Sequence, residues 1–149
     1  MLKTWRLRMA VLLPAILIGC SLTQSKTKEE EIDWQPEKVS GVVVDLRNCA
    51  RLTTISPRIT NEDGNEVFGA LDVEYESNQF RGMFGRAETL LGAIHHKRVG
   101  DRPYLVQAIG IRVIGQDIIV SKRDARRLRL IKDRTNVFRA GRVVLLIPR

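Results

Sequence analysis

The chain has 149 residues, of which 44% are apolar and only 5% are aromatic, and its formal net charge is +8. This length fits one modest globular domain, whose core must consist mainly of Val, Ile and Leu, a composition that suits a sheet-rich fold. The two cysteines, Cys20 and Cys49, are too few for a disulfide framework or a structural zinc site, so both classes are excluded.

The N-terminus has the order of parts of a secretion signal. Lys3, Arg6 and Arg8 supply positive charge, and no acidic residue precedes Cys20. Residues 9–18 then form a mostly apolar run, which as a helix would reach only about 15 Å, roughly half the thickness of the hydrocarbon core. This segment is therefore too short to be a stable transmembrane anchor.

Leu17, Ile18, Gly19 and Cys20 occupy the four places of a lipobox and resemble the bacterial lipoprotein signal. The resemblance implies cleavage between Gly19 and Cys20, a diacylglyceryl thioether on Cys20, and fatty acids such as palmitate as the anchor. Ser21 stands where an inner-membrane retention signal would put Asp, so the outer membrane is expected, with the domain facing the periplasm. The alternatives are an ordinary cleaved signal with an incidental cysteine, or an N-terminal core helix.

Three parts follow from this reading: a signal peptide over 1–19, a lipidated cysteine with a flexible tether over 20–40, and one domain over 41–149. The tether is polar and acidic, and Trp34 and Pro36 near its end are candidates to dock onto the domain. The remaining domain carries a net charge of +7, concentrated after residue 120.

The first half of the domain reads as strands. Val42–Val44 is a short β-branched run typical of a buried strand, and residues 52–60 look extended. The polar run 61–65 contains Gly64 and predicts a turn, with 66–68 as the returning strand of a hairpin. Residues 71–75 alternate well enough to continue it.

The second half predicts two helices and further strands. We expect a helix over 86–94, a long strand over 104–114, and a type II′ turn at Gly115-Gln116 into a strand over 117–120. Ser121 and Asp124 then form a capping-box-like start to a helix over 122–132, which buries its apolar face. A last apolar strand over 143–147 is expected to be central. The predicted class is α+β, a small mixed or antiparallel sheet with two β-hairpins and two short helices.

Four segments carry a second resemblance: 41–45, 56–69, 98–103 and 140–147. They are similar to a poorly characterised module of bacterial periplasmic lipoproteins, some of them related to flagellar-assembly or outer-membrane accessory proteins. The resemblance implies no catalytic residues. Members often have a Gly-rich stretch after the first strand, where this chain has 47–51, a departure that puts a shared ligand surface there in doubt.

Candidate chemical groups are few. Cys49 lies between Arg47 and Arg51, which would lower its thiol pKa if both lay close, but burial in an apolar pocket is the favoured reading. His95 and His96 are adjacent, so on a strand they would point to opposite faces, and no metal or cofactor is expected.

Three acidic residues occupy alternate positions: Asp72, Glu74 and Glu76. On a strand they would line one face, where they could form a paired-carboxylate site. Solvated side chains without a catalytic role are the favoured interpretation.

The function predicted is a lipid-anchored, non-enzymatic accessory protein of the bacterial envelope that binds another envelope or surface-assembly component. An alternative is a basic domain that holds anionic lipid or polysaccharide through Arg123, Arg126 and Arg127. A hydrolase acting on envelope material is the least favoured reading. Export makes a nucleic-acid partner improbable despite the basic charge.

Overall fold

Strand β1, Gly41–Asp45, is an interior strand of the sheet, and the side chains of its three valines are completely buried. The structure is a computed structural model that describes residues 34–54, 56–74 and 82–148. β-branched side chains favour a strand, and a strand buried on both faces reads as a continuous apolar run. The predicted strand at Val42–Val44 is therefore confirmed.

The described residues form an α+β domain with seven strands and two α-helices, within a compact unit that spans Asp33–Arg149. The strands after β1 are β2 (Ile59–Asn61), β3 (Glu66–Phe68), β4 (Gly85–Ala87), β5 (Pro103–Ile111), β6 (Ile118–Val120) and β7 (Val143–Leu146). The helices are α1 (Leu90–Ile94) and α2 (Lys122–Arg134), and Pro36–Lys38 and Ala70–Asp72 are single 3-10 turns.

All seven strands belong to one mixed sheet in the order β3-β2-β6-β5-β1-β7-β4. β1 pairs in parallel with β5 and β7, and β4 pairs in parallel with the outer side of β7. β6 runs antiparallel to β5, β2 runs parallel to β6, and β3 closes the other edge antiparallel to β2. The sheet is thus larger than the small sheet that the sequence predicted, and most of its pairings are parallel.

The two faces of the sheet are covered by different elements. Val42 and Val44 point into the main core, which α2 covers with its buried Ala125, Leu128 and Ile131. Val43 points the other way, into a smaller cluster beneath α1. Since successive side chains of a strand alternate between faces, these two clusters explain why all of β1 is buried.

The first predicted hairpin is confirmed, with its returning strand at the predicted residues, although its first strand is shorter than expected. β2 begins only at Ile59, and its antiparallel partner is β3. Gly64 takes a φ of 85°, and the Asn65 N–H donates to Asn61 Oδ1 at 2.8 Å. The predicted continuation over 71–75 is wrong within the described residues, because Ala70–Asp72 forms a 3-10 turn instead; residue 75 lies outside the described ranges.

The second predicted hairpin joins β5 and β6, but its turn differs from the prediction. Gly115 and Gln116 both have positive φ, 82° and 57°, whereas a type II′ turn needs a positive φ only at the first of the two. The Arg112 N–H donates to the Asp117 carbonyl at 2.9 Å, so four residues rather than two form the loop.

The predicted helix over 86–94 is partly wrong. Gly85–Ala87 forms the edge strand β4, and α1 starts only after Thr89, whose hydroxyl accepts from the Gly92 N–H.

By contrast, α2 starts where predicted. Ser121 Oγ accepts from the Asp124 N–H at 3.0 Å, and the helix continues two residues past the predicted end to Arg134. Ser121 acts as a helix cap as its residue type and position imply.

The end of the tether docks on the domain, as expected for Trp34. Its indole packs against the main core and lies 6.0 Å from the Tyr104 ring, and the Arg127 guanidinium sits 5.5 Å from the indole centroid. Among the described residues, no helix combines the length and the apolar character needed to cross a bilayer.

Gly41 tests how tightly β1 is enclosed. A Cβ at Gly41 would overlap the backbone of Val99, whereas a Cβ at Gly110 would meet Ile119 Cδ1 at an ordinary 4.0 Å. We therefore expect Gly41→Ala to lower the free energy of unfolding by about 1–3 kcal/mol, the cost of overpacking. The control Gly110→Ala should change it by less than about 0.5 kcal/mol in urea titrations. Equal losses in the two variants would contradict the packing described.

Candidate functional site

A crevice opens at the edge of the sheet where three parallel strands end. β1, β7 and β4 run in the same direction, so their carboxyl ends meet there. In open sheets with parallel strands, ligands commonly bind outside these ends. The crevice has a volume of about 330 Å³ and is lined by Leu46, Ala50, Arg51, Leu52, Arg86, Ile147 and Pro148.

Backbone hydrogen bonds fix the walls of the crevice. The Leu46 N–H donates to the Leu146 carbonyl at 2.8 Å, and the Ile147 N–H donates to the Ala87 carbonyl at 2.9 Å. The chain then turns away from the sheet, with the Cys49 N–H bonded to the Leu46 carbonyl. The two strand ends therefore hold one wall of the crevice, and the segment that follows this turn forms the other.

The crevice combines apolar and cationic groups. Leu46 is buried, and Leu52 and Ile147 are partly buried against the main core. Arg51 and Arg86 are exposed at the crevice, and neither side chain makes a hydrogen bond or ion pair within the described ranges. This arrangement can take a ligand with an apolar body and a negative charge.

Asp45, at the end of β1, is the nearest carboxylate in sequence to the crevice wall, but it is already paired. Arg47 Nε donates to Asp45 Oδ1 at 3.0 Å and Arg47 Nη2 donates to Oδ2 at 2.7 Å. This hydrogen bonding holds the pKa of the Asp45 carboxyl below its usual range. Gln107 Nε2 also donates to the Asp45 carbonyl at 3.1 Å, so the strand end is fixed on both sides.

Cys49 packs against the main core, with its Sγ 3.6 Å from the Ala108 carbonyl oxygen. Burial raises the pKa of the Cys49 thiol, and the charge of Asp45 raises it further. The idea that Arg47 and Arg51 activate this thiol is therefore wrong, because Arg47 is bound to Asp45. The favoured reading, burial rather than activation of the thiol, agrees with this direction, and the Cys49 residue is partly buried.

The other candidate groups from the sequence serve local structure. Asp72 accepts from the Gly69 N–H at 2.9 Å and forms an ion pair with Lys132, whereas Glu74 pairs with Arg139 at 3.0 Å. These two acidic side chains therefore have separate partners; residue 76 lies outside the described ranges. Both fasten the segment after β3 to the region of α2.

The histidines lie after α1, not on a strand. His95 is exposed, while His96 is partly buried and its Nδ1 accepts from the Arg98 N–H at 3.2 Å. Burial lowers the pKa of the His96 imidazole, and the charges of Arg98 and Lys97 lower it further. Within the described part of the chain, no group of three His, Cys, Asp or Glu side chains is placed to hold a metal ion.

The three arginines predicted to contact an anionic surface lie on α2 but differ in their surroundings. Arg127 donates from Nη1 to the Tyr104 hydroxyl at 3.3 Å and covers the Trp34 ring. Arg123 and Arg126 are exposed. Arg127 thus helps to hold the end of the tether on the domain.

The predicted cleavage and lipidation sites, Gly19 and Cys20, lie outside the described residues.

Residues 41–149 match the family model described as the second domain of Treponema pallidum Tp0624. The chain belongs to this family. The match covers the domain predicted from residue 41 onward and places it in a bacterial protein family. No curated protein matches the chain.

Arg51 and Arg86 were not among the sequence candidates. They are 35 positions apart and come from a loop and an edge strand, so no spacing in the sequence connects them. The signal that could have indicated Arg51 is its position shortly after a buried strand, where side chains reach the carboxyl edge of a sheet.

The raised pKa of Cys49 predicts slow alkylation. At pH 7 the thiolate is the reactive form, so iodoacetamide should modify Cys49 in the native protein several-fold more slowly than in the same protein unfolded in urea. The rate in the native protein should rise with pH. Mass spectrometry of the peptide that contains Cys49 measures both rates. Faster modification in the native state would contradict the burial described.

Proposed function

We propose that this protein is a lipid-anchored component of the bacterial envelope whose domain binds another envelope protein without catalysing a reaction. The lipobox over 17–20 supports the anchor, since two or more acyl chains hold a protein on a membrane far more firmly than one. Membership in a bacterial protein family agrees with the bacterial part of this proposal. On this proposal Cys20 carries the lipid in the outer membrane and the domain faces the periplasm.

The docked tether limits where such a partner can lie. Trp34 is packed onto the domain, so 13 residues separate it from Cys20. A fully extended chain of that length spans at most about 45 Å. A partner of the anchored domain would therefore lie close to the membrane surface.

The observation that favours a protein partner is an apolar strip on the α1 face of the sheet. Val43 lies under α1, but its neighbour Leu105 on β5 is 47% exposed and Ile109 on the same face is 54% exposed. Ile119 of β6 is partly exposed on this side. Exposed Gln107 lies between Leu105 and Ile109 on this face, so the strip combines apolar side chains with a polar group, as interaction surfaces commonly do.

The chemistry of the partner follows from this strip. An apolar patch on the partner would cover Leu105 and Ile109. We therefore propose an envelope protein that presents an apolar patch.

The alternative is a domain that holds anionic lipid or polysaccharide through α2. Arg126 is exposed, and its side chain has no hydrogen-bond or ion-pair partner among residues 34–54, 56–74 and 82–148. Arg123 is exposed on the same helix. This role would be sensitive to salt, because exposed charges separated by more than about 8–10 Å are largely screened at physiological ionic strength.

Site-specific photocrosslinking in living cells distinguishes the two roles. A photoreactive residue at Leu105 should crosslink to one envelope protein, and Ile109→Glu should reduce that product at least about tenfold, since it places a charge in an apolar contact. Two controls should leave it unchanged: Leu71→Glu, at a fully exposed leucine outside the sheet, and Arg126→Glu. No product, or one lost only in Arg126→Glu, would overturn the protein-partner proposal.

A further inference from the structure

The crevice at the carboxyl ends of β1, β7 and β4 offers a binding site separate from the apolar strip on β5. It lies at the far end of the parallel strands, beyond Leu46 and Ile147, and is lined by neither Leu105 nor Ile109. A ligand there would therefore not compete with the proposed envelope partner for the same side chains.

Among the described residues, the lining carries positive charge without a neutralising acid. The described lining includes Arg51 and Arg86 and no Asp or Glu. Asp45, which is close in sequence, holds both of its carboxylate oxygens against Arg47. Two guanidinium groups that lack partners in the described part of the chain favour an anion, and guanidinium matches the planar, two-oxygen geometry of a carboxylate.

The rest of the lining is apolar. Leu52 and Ile147 are partly buried against the main core and present aliphatic surface to the crevice, which the buried Leu46 also borders. A purely hydrated anion would leave this surface without a partner, whereas an aliphatic or aromatic body would bury it. Pockets for small molecules commonly combine apolar walls with a few charged groups that orient the ligand.

The volume limits the size of the ligand. About 330 Å³ is at the lower end of the range for ligand pockets. A small molecule therefore suits the crevice better than a polymer or a folded protein segment.

We propose that the crevice binds a small amphipathic carboxylate, with its charged head at Arg51 and Arg86 and its apolar body on Leu52 and Ile147. The two arginines come from the loop after β1 and from the edge strand β4, so the head group would bridge these two elements. This site differs from the α2 surface, where the arginines lie on the exposed face of a helix.

The test is an NMR titration of the full chain in detergent with octanoate, using empty micelles as the blank. We expect saturable amide shifts at Arg51, Leu52 and Arg86. Octanamide, which has the same chain without the charge, and acetate, which has the charge without the chain, should each bind at least about tenfold more weakly. Shifts confined to other regions, or equal binding of octanamide, would overturn the proposal.

Variants separate this site from general attraction to a basic protein. Arg51→Gln and Arg86→Gln should each weaken octanoate binding about fivefold, and the double variant should abolish measurable saturation. Arg126→Gln is the matched control, since it removes one exposed arginine on α2 and should leave the affinity unchanged. Unchanged affinity in the double variant, or a loss in Arg126→Gln equal to that in Arg51→Gln, would contradict the assignment.

Discussion

Burial of β1 on both faces is the constraint on which the rest of this structure depends. Val42 and Val44 require the layer that α2 supplies, and Val43 requires the layer that α1 supplies. β1 is flanked by parallel partners, so the carboxyl ends of β1, β7 and β4 reach the same edge. The crevice with Arg51 and Arg86 lies at that edge, and on the α1 face the exposed Leu105 of β5 neighbours the buried Val43.

Some features that depend on neighbouring residues could be predicted from the sequence, whereas the pairing of distant segments could not. The helix over 86–94 and the turn at Gly115-Gln116 show that local patterns also gave wrong predictions. The turn at 61–65 and the cap at Ser121 each rest on contacts a few positions apart. The pairing of Val43 with Leu105 and Val144 joins positions about 60 and 100 apart, and nothing local specifies it. The crevice was missed for the same reason, because the sheet alone brings Arg51 near Arg86.

The two binding surfaces proposed for the domain differ in chemistry. The strip at Leu105 and Ile109 offers aliphatic area, whereas the crevice offers aliphatic area together with two guanidinium groups. Trp34 limits the reach of the chain, since it packs under Arg127 beside Tyr104. An anchor at Cys20 would keep both surfaces within a short distance of the membrane, where a high local concentration compensates for modest affinity.

The mass of the mature N-terminal peptide, taken from protein purified from cell envelopes, tests the central claim most directly. The account predicts a peptide that begins at Cys20 and carries a diacylglyceryl group on the sulfur, with or without a fatty acid on the new amine. A peptide that retains Met1, or one that begins at Cys20 without lipid, would contradict it.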